Sequence, residues 1–491
     1  MAKSYKYEIF TAVIEKQIHS GVLQEKDRLP SVREIKEKYK LSTSSVQSGF
    51  EYLMIKGLIR SQPRSGYFVA ENQEENIPEV RTKLPFVVRD AEFMKNMMLT
   101  SKRTSESSSF NTAVPGDLLI PQKLILRTMQ EVIREKGASL LRYYPSNGLE
   151  TLRQQIAKQM GTYGCILNPD EIIITDGALQ ALTIALKSVA KAGDVVAVDS
   201  PCVFSVLEVI ANLDLKVIEI PVHYKSGFDT EYFQTVCAEN DIRALVITPN
   251  FHNPTGVLMT DEVKKELLSI AEEHEVCIIE NDMYSDLYFG EQRPRCIKSF
   301  DKNGWVMTYS SFSKTLAPGI RLGWLYAGSF YAKSERARFS LGRSVSPVYQ
   351  ELIVKLLKGS SYERHLRSFR KKLNQQAIQV LDVLRNSFPE GSYFHRPQGG
   401  YSIWGQLPEN TDMQKFYQYC EKHTILFTPG HTFSFTNKYD SHFRVVFAER
   451  ITPESLILLG NAGEKAKKLV GINSRVCGMP EIRDCPFLND V

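Results

Sequence analysis

A chain of 491 residues, 43% hydrophobic and 24% charged, is long enough for two or three separate cores. No apolar run reaches the about 20 residues that cross a membrane, and the opening MAKSYKYEIF lacks an apolar secretory stretch, so a cytoplasmic protein is expected. Net charge is +5, yet residues 1–72 hold twelve Lys/Arg against eight Asp/Glu, so most of the excess sits in a small N-terminal region.

From Tyr7 to Ser20, Ile9, Phe10, Val13, Ile14 and Ile18 fall on one helical face, and Gly21 ends it. Ser31 and Glu34 then form a capping box at the start of a second helix carrying Val32, Ile35 and Tyr39. The hydroxyl-rich turn Leu41 to Ser45 can cap a third helix that runs through Val46, Phe50 and Leu53 to Gly57. Leu58 to Val69 reads as two short strands around Pro63-Arg64-Ser65-Gly66, a hairpin with a basic tip. This is the order of a winged helix-turn-helix. Such a fold aims Thr43, Ser44, Ser45 and Gln47 at the major groove of double-stranded DNA, with Arg33, Arg64 and the Gly66 wing at the backbone or minor groove. The segments RLPSVREI, KLSTSSVQSGFEYLMIKGLI and PRSGYFVA resemble the GntR family of bacterial regulators. Thr43 replaces that family's usual arginine in the recognition turn, so base preference does not carry over.

Residues 73–109 are polar and acidic at their start and serine-rich at their end, as expected of a linker, with enough apolar residues over 86–99 for a short docking helix. The cysteines at 165, 202, 237, 277, 296, 420, 477 and 485 form no CxxC pair, so reduced thiols and no metal site are expected.

From Phe110 onward, helical patterns alternate with short apolar runs at 171–175, 195–199, 216–220, 244–248, 276–280 and 305–309. Continuously apolar runs suit strands buried on both faces of a mainly parallel sheet, which places ligands just beyond the strand C-termini. The expected fold is α/β: a winged helix (1–72), a linker (73–109), a large domain with a smaller C-terminal α/β subdomain (110–470) and a tail (471–491).

The positions after each run carry the chemistry. Gly177-Ala178-Leu179 opens a helix whose N–H groups can meet an anion. Asn253, in Asn250-Phe-His-Asn-Pro-Thr-Gly256, can donate to a phenolate oxygen. Asp282 and Tyr284 lie two apart, hence on one face of an extended segment, with Tyr284 in reach of the same oxygen as Asn253. Lys314 stands among Ser310, Ser311 and Ser313, seven residues before Arg321. An amine for a Schiff base, with hydroxyls and a guanidinium for a phosphate, is what pyridoxal 5′-phosphate requires.

Residues 110–469 resemble the fold-type I, aspartate aminotransferase-like enzymes. The resemblance implies that Lys314 carries the cofactor, Asp282 pairs with its ring nitrogen, and Asn253 and Tyr284 bind its phenolic oxygen. Ser311, Ser313, Arg321 and the Gly177–Leu179 backbone would hold its phosphate. Tyr144 would reach the phosphate of a partner subunit in a homodimer, and Arg444 would clamp a substrate α-carboxylate. Two positions depart. The ring-stacking aromatic usually stands two residues after the proline of Pro201-Cys202-Val203-Phe204, which leaves Phe204, one later, as the stacker. Ala113 replaces a substrate-side glycine.

A GntR-type winged helix joined to an aminotransferase-like domain is the layout of the MocR subfamily, which Gly359 to Arg367 also resembles. The expected function is a transcription regulator that senses an amino-compound effector through Lys314 and binds repeated half-sites as a homodimer. A working aminotransferase with an autoregulatory DNA-binding domain is the alternative, and a repressor whose large domain only dimerises is a third reading.

Overall fold

The computed structural model describes residues 7–62, 65–70, 89–90, 108–436 and 438–471. Three helices, α1 (Glu8–His19), α2 (Val32–Tyr39) and α3 (Thr43–Ile55), precede the hairpin β1 (Ile59–Gln62) and β2 (Gly66–Val69). Both capping expectations are realised. Ser31 Oγ accepts from Glu34 N while Glu34 Oε2 accepts from Ser31 N, and Ser42 Oγ accepts from Ser45 N. Phe10, Ile35, Val46, Phe50, Leu53, Ile59 and Val69 close a separate core, with Phe50 and Tyr67 stacked at 4.1 Å. The hairpin tip residues Pro63 and Arg64 lie outside the described residues.

Of the helix expected over 86–99 only Arg89–Asp90 is described, and it is a strand instead (β3), paired antiparallel with Lys216–Val217. An exposed sheet edge offers the linker ready backbone partners, whereas a short helix without tertiary packing is marginal in water. Ser108–Ser109 (β4) ends the linker on a parallel pairing with Ile425–Leu426.

The large domain continues through α4 (Gln122–Lys136), α5 (Glu150–Thr162), β5 (Ile172–Thr175), α6 (Ala178–Val189), β6 (Val195–Ser200), α7 (Phe204–Asn212) and β7 (Lys216–Pro221). It goes on with α8 (Thr230–Glu239), β8 (Ile242–Ile247), α9 (Asp261–Glu273), β9 (Cys277–Asn281), β10 (Val306–Ser311), β11 (Gly323–Tyr326), α10 (Tyr331–Ser340) and α11 (Pro347–Lys358). The sheet order is β3-β7-β6-β8-β9-β10-β11-β5. Strands β7 to β10 run parallel, while β11 is antiparallel to both neighbours. All six expected runs are strands. The seventh, Gly-Trp-Leu-Tyr in β11, went unforeseen because four residues ahead of a turn give too short a pattern. Helices cover both faces: α6 and α7 pack on one, α8 and α9 on the other.

The long helix α12 (Ser361–Ser387) leads into the smaller subdomain, with β12 (Tyr393–Phe394), β13 (Ser402–Gln406), α13 (Met413–Lys422), β14 (Ile425–Leu426), β15 (Thr428–Pro429), β16 (His442–Val446) and α14 (Pro453–Lys467). Its antiparallel sheet β12-β13-β16-β15 shares one core with α12, α13 and α14. Lys371 of α12 lies 3.5 Å from Glu51 of α3, so the winged helix meets the smaller subdomain along this helix. No described helix is long and apolar enough to cross a membrane.

Candidate functional site

Lys314 follows β10 in a tight turn. Its Nζ donates to Ala113 O at 2.5 Å, and the Tyr401 hydroxyl donates to its carbonyl. Burial, then the positive charges of Arg444 and Arg321, bring the amine down from 10.5 to about 8. A lysine that sheds its proton this readily is a usable nucleophile near neutral pH.

Around it the segments beyond β8 and β9 bring Asn253 and Tyr284 together with Arg444, from the middle of β16 in the smaller subdomain. Asn253 Nδ2 donates to Tyr284 Oη at 3.3 Å, and Arg444 Nη1 donates to Asn253 Oδ1 at 2.9 Å. Arg444 is 2% exposed, and its Nη2 donates to Asn111 O and to Thr428 Oγ1. Its Nε is buried with no hydrogen-bond partner. Burial alone brings this guanidinium down to about 10 and lifts the Tyr284 phenol to about 12.

The anion end is built from backbone. Gly177 adopts φ +89°, a backbone conformation that favours glycine, and lies close against the Arg321 guanidinium. Arg321, itself at φ +50°, donates to Asp176 O at 3.0 Å beside the start of α6. Ser311 Oγ donates to Ser313 Oγ at 2.9 Å, and both hydroxyls are buried. Open N–H groups at Ala178 and Leu179, a guanidinium and a hydroxyl pair suit a phosphate dianion. These residues fit pyridoxal 5′-phosphate: Gly177, Ala178, Leu179, Ser311, Ser313 and Arg321 for the phosphate, Asn253 and Tyr284 for the phenolic oxygen, and Lys314 for the covalent link. Bound there, the cofactor supplies an aldehyde that captures amines and a ring that withdraws electrons.

Three further expected residues make contacts outside this cluster or at its edge. Asp282 does not share a face with Tyr284. Its carboxylate accepts from Arg293 Nη2 and from Ser285 Oγ at 2.5 Å, in a pocket lined by Tyr163, Phe312 and Tyr362. The chain leaves the strand at Asn281, so strict alternation fails over 282–284. Phe204, half-buried at the start of α7, has its ring 6.0 Å from Phe433 and 6.0 Å from the Arg444 guanidinium carbon, on the Arg444 side of the site. Tyr144, expected to act on a partner subunit, donates to Glu351 Oε1 at 2.9 Å within its own chain.

Sequence reasoning passed over Asn111, Thr428, Tyr401, Tyr362 and His365. Tyr362 Oη donates to Thr315 Oγ1 at 3.0 Å, and His365 Nε2 donates to Thr315 O at 2.7 Å, fixing the residue next to Lys314. Both belong to the Gly359–Arg367 segment, whose spacing of three on a helix was the available signal.

On the winged helix, Thr43, Ser44 and Gln47 are exposed on the first turns of α3, while Ser45 is half-buried and its hydroxyl lies 2.8 Å from Ser42 Oγ. Arg33 is exposed and pairs with Glu37 at 3.2 Å, a contact weak enough to yield to phosphate. Gly66 opens β2 at φ +107°. Arg64 lies outside the described residues. No group of His, Cys, Asp and Glu that could hold a metal occurs among the described residues.

One consequence concerns pH. In cofactor-free protein, capture of pyridoxal phosphate by Lys314 should quicken about tenfold per pH unit up to about pH 8, then level off, because only the neutral amine reacts. A lysine at its ordinary value would keep accelerating past pH 10, which stopped-flow absorbance distinguishes.

Comparison with known proteins identifies both halves. Residues 115–456 match the family described as aminotransferase class I and II, and residues 6–69 match bacterial regulatory proteins of the gntR family. The chain is 31% identical to the HTH-type transcriptional regulator YjiR of Escherichia coli (strain K12), over 90% of this chain and 94% of that one. It is 32% identical to the regulator YdcR of the same strain, over 89% and 94%. Among solved structures, the kynurenine aminotransferase of Pyrococcus horikoshii, in complex with PMP, superposes with a TM-score of 0.70 at 26% identity, covering 74% of this chain and 92% of that one. The chain therefore belongs to the GntR-type bacterial transcription regulators in which a DNA-binding winged helix is fused to a pyridoxal phosphate-dependent, class I and II aminotransferase domain, the layout of the MocR subfamily.

Proposed function

We propose that this regulator works in the cytoplasm as a homodimer, sensing an amino compound that also bears a carboxylate and adjusting its hold on repeated half-sites in DNA. The observation that carries this reading is the reach of α12. Its first turns hold Thr315, the neighbour of Lys314, and two turns further Lys371 meets Glu51 of the recognition helix. An exposed ion pair of this kind contributes at most about 1 kcal/mol, so the helix itself is the coupling element. Any shift of the Lys314 turn on effector capture is passed to a rigid body that touches α3.

Effector chemistry follows from the pair Lys314 and Arg444. Lys314 would hold the cofactor, whose aldehyde carbon would take up an effector amine in place of the lysine, and Arg444, a buried cation with a free Nε donor, would dock a carboxylate. A dimer is supported by Leu141 and Tyr143, which are 89% and 78% exposed beside Tyr144, with Leu126 and Ile133 exposed on the adjoining α4. A two-fold dimer would match operator symmetry.

The test is a mobility shift with cofactor-loaded protein and the DNA upstream of its own gene. Retardation with two protected half-sites supports the reading, and no shift at any protein concentration overturns it. The retained Lys314, Asn253, Tyr284 and Arg444 favour a second reading, a working aminotransferase. Multiple turnovers of an amino acid with a keto acid would establish it.

A further inference from the structure

Strand β9 fixes which of two adjacent polar residues faces the cofactor. Cys277 and Ile279 pack with Ala181 and Leu182 of α6 and Leu207 of α7, whereas Ile278 packs with Leu267 and Ala271 of α9 on the opposite face. Glu280 continues the α9 face, where its carboxylate accepts from Ile297 N at 2.6 Å and Lys298 N at 3.2 Å. Alternation therefore returns Asn281, the last residue of the strand, to the α6 side. That is the side on which Gly177 and Arg321 build the anion end. There Asn281 Nδ2 donates to Thr248 Oγ1 at 3.3 Å, beyond the end of β8.

Asp282 goes the other way. Arg293, with its side chain only 3% exposed, neutralises it, and Ser285 takes the second oxygen. The adjoining pocket holds about 20 Å³, room for one water and not for a ring. Electrostatics agree with the geometry. Burial raises the Asp282 carboxyl while Arg293 opposes that rise, and the Lys314 amine responds to Arg444 and Arg321.

We propose that Asn281, not Asp282, faces the ring nitrogen of the cofactor, so that this site lacks the carboxylate that keeps that nitrogen protonated. An amide can hydrogen-bond to an unprotonated nitrogen, but it supplies no negative charge to hold a proton there. Exchanging Lys314 for an effector amine on the cofactor's aldehyde carbon would need no protonated ring, whereas withdrawing electrons from the bound amine would. The inference rests on the function proposed above and sharpens it: the site binds and reports, and turnover is suppressed by one residue.

The test uses full-length protein loaded with pyridoxal phosphate labelled with ¹⁵N in the ring. The wild-type resonance is expected at the unprotonated position at pH 7. Asn281→Asp should move it to the protonated position and raise the rate at which L-amino acids convert the bound cofactor to its amine form by on the order of 10²-fold. A protonated ring nitrogen in the wild type overturns the inference whether or not the variant folds. So does a variant pair in which Asp282→Asn, and not Asn281→Asp, shifts the resonance. Borohydride reduction followed by peptide mass analysis separates the two ideas. No adduct on Lys314 overturns the sensing function and this inference together, while an adduct with a protonated nitrogen overturns this inference alone.

Discussion

Lys314→Ala is expected to abolish the protein-bound cofactor absorbance and every response of DNA binding to an amino-compound effector, while leaving a folded protein that still binds DNA. The fold should survive because the lysine contributes little to it. Its side chain makes one hydrogen bond, to Ala113 O, and a partly buried cation near Arg444 and Arg321 costs more in desolvation and repulsion than that bond returns. The winged helix has its own core around Phe10 and Phe50, distant in sequence from the turn that is altered. Absorbance after dialysis against excess pyridoxal phosphate, paired with a DNA titration with and without effector, reads both halves. An effector response that persists in Lys314→Ala would mean that the large domain merely dimerises.

Arg444→Gln should weaken the effector response by on the order of 10²-fold, about 3 kcal/mol, as expected when one partner of a buried charge pair is truncated. Selectivity makes this more than a loss of function. The guanidinium is held by Asn253, Asn111 and Thr428, which leaves its buried Nε without a partner and, on the function proposed above, for a carboxylate. Amines that carry no carboxylate should therefore bind the variant nearly as well as the wild type, and the gap between the two ligand classes should collapse. Titration of the cofactor absorbance with matched compounds, for instance an amino acid and its decarboxylated amine, measures that gap. An equal loss for both classes would assign Arg444 a structural role in holding Asn253.

Much of this architecture is legible in the chain. The capping box at Ser31 and Glu34, the Ser42 cap and the buried Phe50 stripe specify the winged helix by local chemistry alone. The six apolar strands of the parallel sheet announce themselves because both faces are covered, which removes polar interruptions. Lys314, Arg321 and Gly177 follow from strand ends. What stayed hidden depends on phase and on distant partners. Asp282 and Asn281 are neighbours, and a one-residue shift exchanges the faces of a strand. The phase could have been counted from the apolar run before them, but which face carries the ligand is set by where α6 packs. Arg293, eleven residues on, pairs with Asp282 through a loop whose path no periodicity encodes. The edge pairing of Arg89–Asp90 with β7 likewise depends on an exposed strand edge formed far away in sequence.

Exchange of an effector amine for Lys314 on the cofactor should be read out as DNA occupancy rather than as product. A single titration tests it directly: cofactor-loaded protein on labelled operator DNA, an amino acid and a keto acid added together, with cofactor absorbance, DNA occupancy and new amino acid followed in one sample. The expected result is an absorbance change that saturates at one effector per site, a parallel change in DNA occupancy, and no more than one equivalent of product per site. Many equivalents of product with unchanged DNA occupancy would contradict it.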